Sequence, residues 1–205
     1  MSRIIASIVA VGVISAGSAA AVTTSTPAAP CGPTGARTLA ASGSARVYAV
    51  GRLVYGCAAG GGGRRVALGT TNLCIRSVQV QAVTVAGRLA AFGAQTCGVD
   101  TGSSIVRVQR LTDGHTLLTH PAVSTAGPES YTTVTAIAAD GTGDVAWVAH
   151  SSSIVRHAQS TAVYAAAGAT VHRLDTGNAI EPGSLRLNGT TVRWQNGSRR
   201  RSGRL

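Results

Sequence analysis

The stretch YTTVTAIAADGTGDVAWVAHSSSIVRHAQSTAVYAAAGATVHRLDTG, residues 131–177, decides the fold. It divides into four short runs: Tyr131 to Ala138, Gly143 to Ala149, Ser160 to Ala166 and Thr170 to Leu174. Each has the length and the β-branched or aromatic content of a strand, and Gly or Asp punctuates the breaks. Ala162 to Ala167 has the alanine content of a helix, but Val163, Tyr164 and the following Gly168 favour a strand. Four antiparallel strands in about 45 residues form a sheet too small to bury its own faces.

The same signal runs outward from this stretch. Arg46 to Tyr48, Leu53 to Tyr55 and Val66 to Leu68 are short β-like runs between glycines. Val78 to Ala82 alternates, with Val78, Val80 and Ala82 on one face and Gln79 and Gln81 on the other. The phase then slips by one, because Val83 and Val85 flank Thr84. No window carries a capped helical period, so an all-β chain is expected. Aromatics make up only 3% of the residues, so its core must be built from many small contacts of Ala, Val, Leu and Ile.

Two units recur. One is a strand, a tight turn and a strand: Val108-Gln-Arg110-Leu111-Thr-Asp-Gly114-His-Thr-Leu117 aligns with Val171-His-Arg173-Leu174-Asp-Thr-Gly177-Asn-Ala-Ile180. The other is a Gly turn followed by a strand ending in an aromatic. Its copies are Gly51 to Tyr55, Gly87 to Phe92, Gly143 to Trp147 and Gly189 to Trp194, with uneven steps of 36, 56 and 46 residues between the glycines.

These units, with the closing segment Gly183 to Gly197, resemble β-propeller proteins. They are similar in particular to small secreted propeller-like proteins of the actinobacterial type, whose function is unknown. The resemblance covers most of residues 36–205. It implies a propeller-like array of about four antiparallel blades and a binding or interaction role at loops or a central channel. The Trp-Asp pair of one large propeller class is absent. The alternative from the same short strands is an open two-sheet β-sandwich.

The chain opens on Met1-Ser2-Arg3, an apolar run from Ile4 to Ile14 and small residues to Ala21. One positive charge, an apolar stretch and an A-x-A-like end describe a secretory signal peptide, residues 1–21, expected to be helical. The alternative is an uncleaved anchor, residues 4–21, tethering the protein to the outer face of the cytoplasmic membrane. A Ser/Thr/Pro-rich leader, 22–35, and a single domain, 36–205, follow. Export makes disulfides the default for the four cysteines, Cys31, Cys57, Cys74 and Cys97. Three pairings are open, and Cys57–Cys74 with Cys31–Cys97 is the favoured set. No C-x-x-C spacing supports a metal site, and no cofactor is expected.

The formal charge is +11, from 18 basic residues that are all arginine. A GC-rich bacterial coding bias explains that selection. The arginines are spread along the chain, apart from Arg199-Arg200-Arg201 and Arg204. Spread charge reads as a solvated surface, and the alternative is a polyanion- or cell-wall-binding face. Nucleic acid is not an expected partner, because interleaved aromatics for base stacking are missing. A protein or a cell-surface polymer is.

The sharpest chemical motif is Asp100-Thr-Gly102-Ser103, with a second Asp-Thr-Gly at Asp175. Aspartic peptidases need two such carboxylates sharing a proton. Gly98 stands where that family prefers an apolar residue, and His172, Arg173 and Asn178 break the pattern around Asp175. An enzyme acting through Asp100 and Asp175 therefore stays an alternative, and no catalytic site is expected. Gly141-Thr-Gly143-Asp-Val-Ala146 matches a dinucleotide fingerprint but leads into a strand instead of a helix. Asp140 and Asp144 are too few acids for a calcium loop and read as a turn. The glycines 60–63 lack the lysine of a phosphate-binding loop. His115, His120, His150, His157 and His172 form no catalytic or metal spacing.

Overall fold

The computed structural model describes residues 31–205 except 60–61, 125–129, 154 and 156. The signal segment 1–21 and leader residues 22–30 lie outside the described residues. Those described form fifteen strands and no helix. They fall into four antiparallel meanders, each contiguous in sequence. The first is β1 (Arg37–Ser42), β2 (Ala45–Val50), β3 (Leu53–Ala58) and β4 (Val66–Thr70). The second is β5 (Gln79–Ala86), β6 (Leu89–Cys97), β7 (Gly102–Arg110) and β8 (Thr116–Pro121). The third is β9 (Ser130–Ala139), β10 (Val145–Ser153), β11 (Ala158–Ala167) and β12 (Thr170–Thr176). The fourth has three strands, β13 (Ile180–Asn188), β14 (Thr191–Asn196) and β15 (Arg199–Arg204).

The first three meanders are joined into one twelve-stranded sheet, with β8 hanging off β7. The joints are minimal. One parallel pair, Thr70 with Gln79, links β4 to β5, and one, Gly102 with Tyr131, links β7 to β9. Elsewhere the meanders meet through side chains.

Three separate buried clusters fill the gaps between successive meanders. Val47, Val54 and Leu68 of the first meet Phe92, Ala94 and Leu111 of the second. Ala91, Val106 and Val108 of the second meet Trp147, Ala149 and Tyr164 of the third. Ala146, Val148 and Val163 of the third meet Leu185, Val192 and Trp194 of the fourth. A two-layer sandwich would hold one core between two sheets; here the buried residues form three separate clusters. Interior layers explain the sequence of β6 and β10. Their successive residues alternate between two different cores, so both strands read as near-continuous small apolar runs. Among the described residues the last sheet is covered on one side only, and β14 regains a buried-exposed alternation at Val192-Arg193-Trp194.

The slip at Val83 is a bulge. Val80 pairs with Ala94 and Val83 with Phe92, so β5 carries one extra residue against β6. Near that bulge, side chains replace the missing backbone pairing between the second and third meanders. Gln81 Oε1 accepts the Val134 N–H at 2.7 Å, and Thr132 Oγ1 accepts the Ser104 N–H at 2.7 Å. Gln95 Nε2 donates to the Thr132 carbonyl at 2.9 Å. Gln95, Ser104 and Thr132 are buried, and these bonds satisfy them.

The recurrent Gly unit needs one correction. Gly87, Gly143 and Gly189 join the first and second strands of their meanders, whereas Gly51 joins the second and third strands of the first. The positional counterpart in the first meander is Gly43, leading to Tyr48. Counted from Gly43, the steps become 44, 56 and 46 residues. All four glycines have positive φ, between 53° and 104°, as tight turns into a strand require. Tyr48, Phe92, Trp147 and Trp194 then each sit on the second strand of a meander. Phe92, Trp147 and Trp194 each point back at the preceding meander. Tyr48 points the same way, onto a face covered by the chain from Cys31, where a Cβ on Gly32 would lie 2.7 Å from its ring. The ten-residue unit does not mark equivalent places. Val108 to Leu117 spans the β7–β8 hairpin, whereas Val171 to Ile180 crosses from the third meander to the fourth.

The disulfides are Cys31–Cys57 and Cys74–Cys97, with Cα atoms 5.7 and 5.0 Å apart. The pairing of Cys57 with Cys74 and Cys31 with Cys97 is therefore wrong. Each observed bridge joins sequence-adjacent cysteines. Cys31–Cys57 ties the entering chain to β3, and Cys74–Cys97 ties the segment before β5 to the end of β6.

Candidate functional site

Asp175 and Asp100 occupy different settings. Asp100 lies exposed in the turn between β6 and β7, beside the almost fully exposed Val99. Asp175 is half-buried on β12 and faces β14. Its Oδ2 accepts from Trp194 Nε1 at 2.7 Å and from Asn196 Nδ2 at 3.1 Å, and its Oδ1 accepts from the Thr176 N–H at 2.8 Å. Partial burial pushes this carboxyl up. The bonds from Trp194, Asn196 and Thr176, with the charge of Arg201, outweigh that and hold it below the usual carboxylate range. Asp175 thus clamps the fourth meander to the third. No hydrogen bond joins it to Asp100 among the described residues. A proton-sharing pair needs a second acid at this spot, and the groups there are an indole, an amide and a backbone N–H.

The Asp140 loop is likewise turned on itself. Asp140 Oδ1 takes bonds from the Thr142 N–H and hydroxyl and from the N–H groups of Gly143 and Asp144, at 2.7 to 3.1 Å. Burial pushes Asp140 up, but these bonds prevail and lower it; burial and the neighbouring Asp140 charge raise Asp144. Among the histidines, His120 Nε2 lies 3.0 Å from the Gly168 carbonyl and His150 Nδ1 lies 3.2 Å from Thr161 Oγ1. Among the described residues, no three His, Cys, Asp or Glu gather as a metal site would require.

The structure does assemble arginines that are scattered in sequence. On the outer face of the fourth meander, Arg186 of β13 stands directly opposite Arg193 of β14, and Ser202 of β15 completes the row. Arg200 pairs across from Gln195, and Arg204 across from Thr191. All four arginines are exposed. The Arg186 guanidinium is held by the carbonyls of Gly183 and Leu185 at 2.9 and 2.7 Å. Among the described residues, Arg110–Asp113 is the only ion pair, so none of these four is neutralised. Beside these rows lies an open groove of about 430 Å³, lined by Ser184, Arg193, Trp194, Gln195, Arg200, Arg201 and Ser202.

The signal for this face was present in the sequence. Leu185-Arg186-Leu187 and Val192-Arg193-Trp194 place each arginine opposite two apolar neighbours, and the Asn188-Gly189 turn brings the two strands together. A charge count along the chain does not see it, because the clustering is made by the hairpin.

No protein-family model matches the chain, and no curated protein matches it. Among solved structures, the chain is similar to the β-propeller domain of the Trilobed protease from Pyrococcus furiosus, described as having an open velcro topology. The identity is 10% and the TM-score 0.43, over 60% of this chain and 35% of that one.

Proposed function

We propose that this protein is an extracytoplasmic, non-enzymatic binding module, and that its four meanders are the blades of an open propeller-like array. Two disulfides are consistent with an extracellular protein. The observation that carries the reading is the outer face of β13–β15. The three gaps between meanders are filled, whereas among the described residues nothing covers this ordered, arginine-lined and grooved face. Meanwhile Asp140 and Asp175 serve as internal acceptors. The competing reading is a peptidase through Asp100. The test is incubation of the purified protein and its Asp100→Asn variant with an unfolded protein substrate at acid pH. No cleavage by either is expected. Cleavage by the parent that disappears in Asp100→Asn would overturn the proposal.

A further inference from the structure

We infer that the outer face of β13–β15 binds a linear phosphodiester polymer through its backbone phosphates, with Arg193 and Arg200 as the main contacts. This rests on the binding-module reading above and names its ligand class.

Four features of the face carry the inference. The first is density. Strands lie about 4.8 Å apart and rise about 3.4 Å per residue. Arg186, Arg193, Arg200 and Arg204 therefore originate from a patch about 10 by 13 Å. The second is cost. Like charges directly opposite in a sheet are destabilising, yet Arg186 and Arg193 face each other with no carboxylate between them. An anion laid across the row would remove that repulsion.

The third is the hydrogen-bonding character of the groove. Among the described residues the Arg193 and Arg200 side chains have no hydrogen-bond partner, and the Gln195 amide and Ser202 hydroxyl supply further donors. Ser184 Oγ is already engaged, donating to the Glu181 carbonyl at 2.6 Å and accepting the Gln195 N–H at 2.8 Å. A phosphodiester only accepts hydrogen bonds, keeps its charge across the working pH range and suits the planar guanidinium fork. Among the described residues Glu181, across from Gln195, is the one acid on this face and forms no ion pair. The fourth is how little the face offers a base. Trp194, the one aromatic lining the groove, is packed into the third cluster with only 5% of its surface exposed.

The test measures affinity of the purified protein for an abasic deoxyribose-phosphate oligomer over a range of salt. Each phosphate contact contributes a log–log salt slope of about 0.7 to 0.9. The Arg193→Gln/Arg200→Gln double variant is expected to bind about tenfold more weakly, with the slope reduced by about 1.5. The control Arg52→Gln/Arg88→Gln removes the same charge from two exposed turns. It should stay within about twofold of the parent, because at physiological salt charges beyond about 8 Å are largely screened. Arg193→Lys/Arg200→Lys should fall between them. The control and the Lys variant should melt with the parent, and the double Gln variant at or slightly above it, since every altered side chain is exposed and losing Arg193 relieves its repulsion with Arg186.

Three results would overturn the inference: no binding of the abasic oligomer, an equal loss in the turn control, or polyglutamate binding as tightly. Tighter binding of the same oligomer carrying thymines would instead show base recognition and overturn the backbone claim. Asp100-dependent cleavage is a separate result and strikes only the module reading.

Discussion

Asp175→Ala tests the clamp between the third and fourth meanders. The substitution leaves Trp194 Nε1 and Asn196 Nδ2 without their shared acceptor, and Trp194 is only 5% exposed. Hydrogen bonds to a charged group contribute about 1.5 to 3 kcal/mol each when well shielded. This carboxylate is half-exposed, so about 1 kcal/mol per bond is the appropriate scale. Adding the stranded indole N–H gives an expected loss of about 2 to 3 kcal/mol. For a domain of this size that is a fall in melting temperature of about 5 to 10 °C.

The effect must depend on pH. Asp175 is held below its unfolded value, so its contribution is complete above the ordinary carboxylate range and is lost as pH falls through the folded value. Urea unfolding followed by tryptophan emission would compare parent and variant near neutrality and again at about pH 2, below the ordinary carboxylate value. The gap should be full in the first case and much reduced in the second. An unchanged midpoint at neutral pH would refute the clamp. A deficit of the same size at both values would show that the carboxylate's charge plays no part.

Two further outcomes follow from the packing. A Cβ on Gly93 would lie 2.6 Å from Val134 Cβ, so Gly93→Ala should cost about 1 to 3 kcal/mol by thermal melting, while Gly183→Ala, whose Cβ would meet nothing, should cost little. Non-reducing peptide mapping should recover Cys31 with Cys57 and Cys74 with Cys97, and Cys74→Ser/Cys97→Ser should destabilise by about 3 kcal/mol; a Cys57–Cys74 peptide would refute the pairing.

Three strands of the third meander were legible in sequence to within about two residues, because Gly and Asp turns bracket β-rich runs there and the pairing is local; β10 instead runs on past the expected end at Ala149 to Ser153. The phase slip at Val83 also carried real information, as a bulge. Three things were not legible. Gly51 and Gly43 both precede an aromatic strand, and only the stacking direction shows that Tyr48 is the counterpart of Trp147. The cysteine pairing depends on where the chain enters the first meander, which spacing does not encode. The two Asp-Thr-Gly motifs share letters, but one is an exposed turn and the other a strand end facing an indole. That difference arises from β14 of the neighbouring sheet, nineteen residues beyond Asp175 at the Trp194 contact.

The single-pair joints between meanders bear on how the molecule opens. Each sheet is closed by neighbours in sequence and touches the next mainly through side chains, so stability is distributed along a line as in a repeat array. Both covalent ties lie at Cys97 or before. The fourth meander has three strands, one packed face and the Asp175 clamp. It is the unit most readily released by local unfolding, and it carries the arginine face. A polyanion bound across β13, β14 and β15 would oppose that release, so occupancy and the integrity of this end of the array are thermodynamically linked.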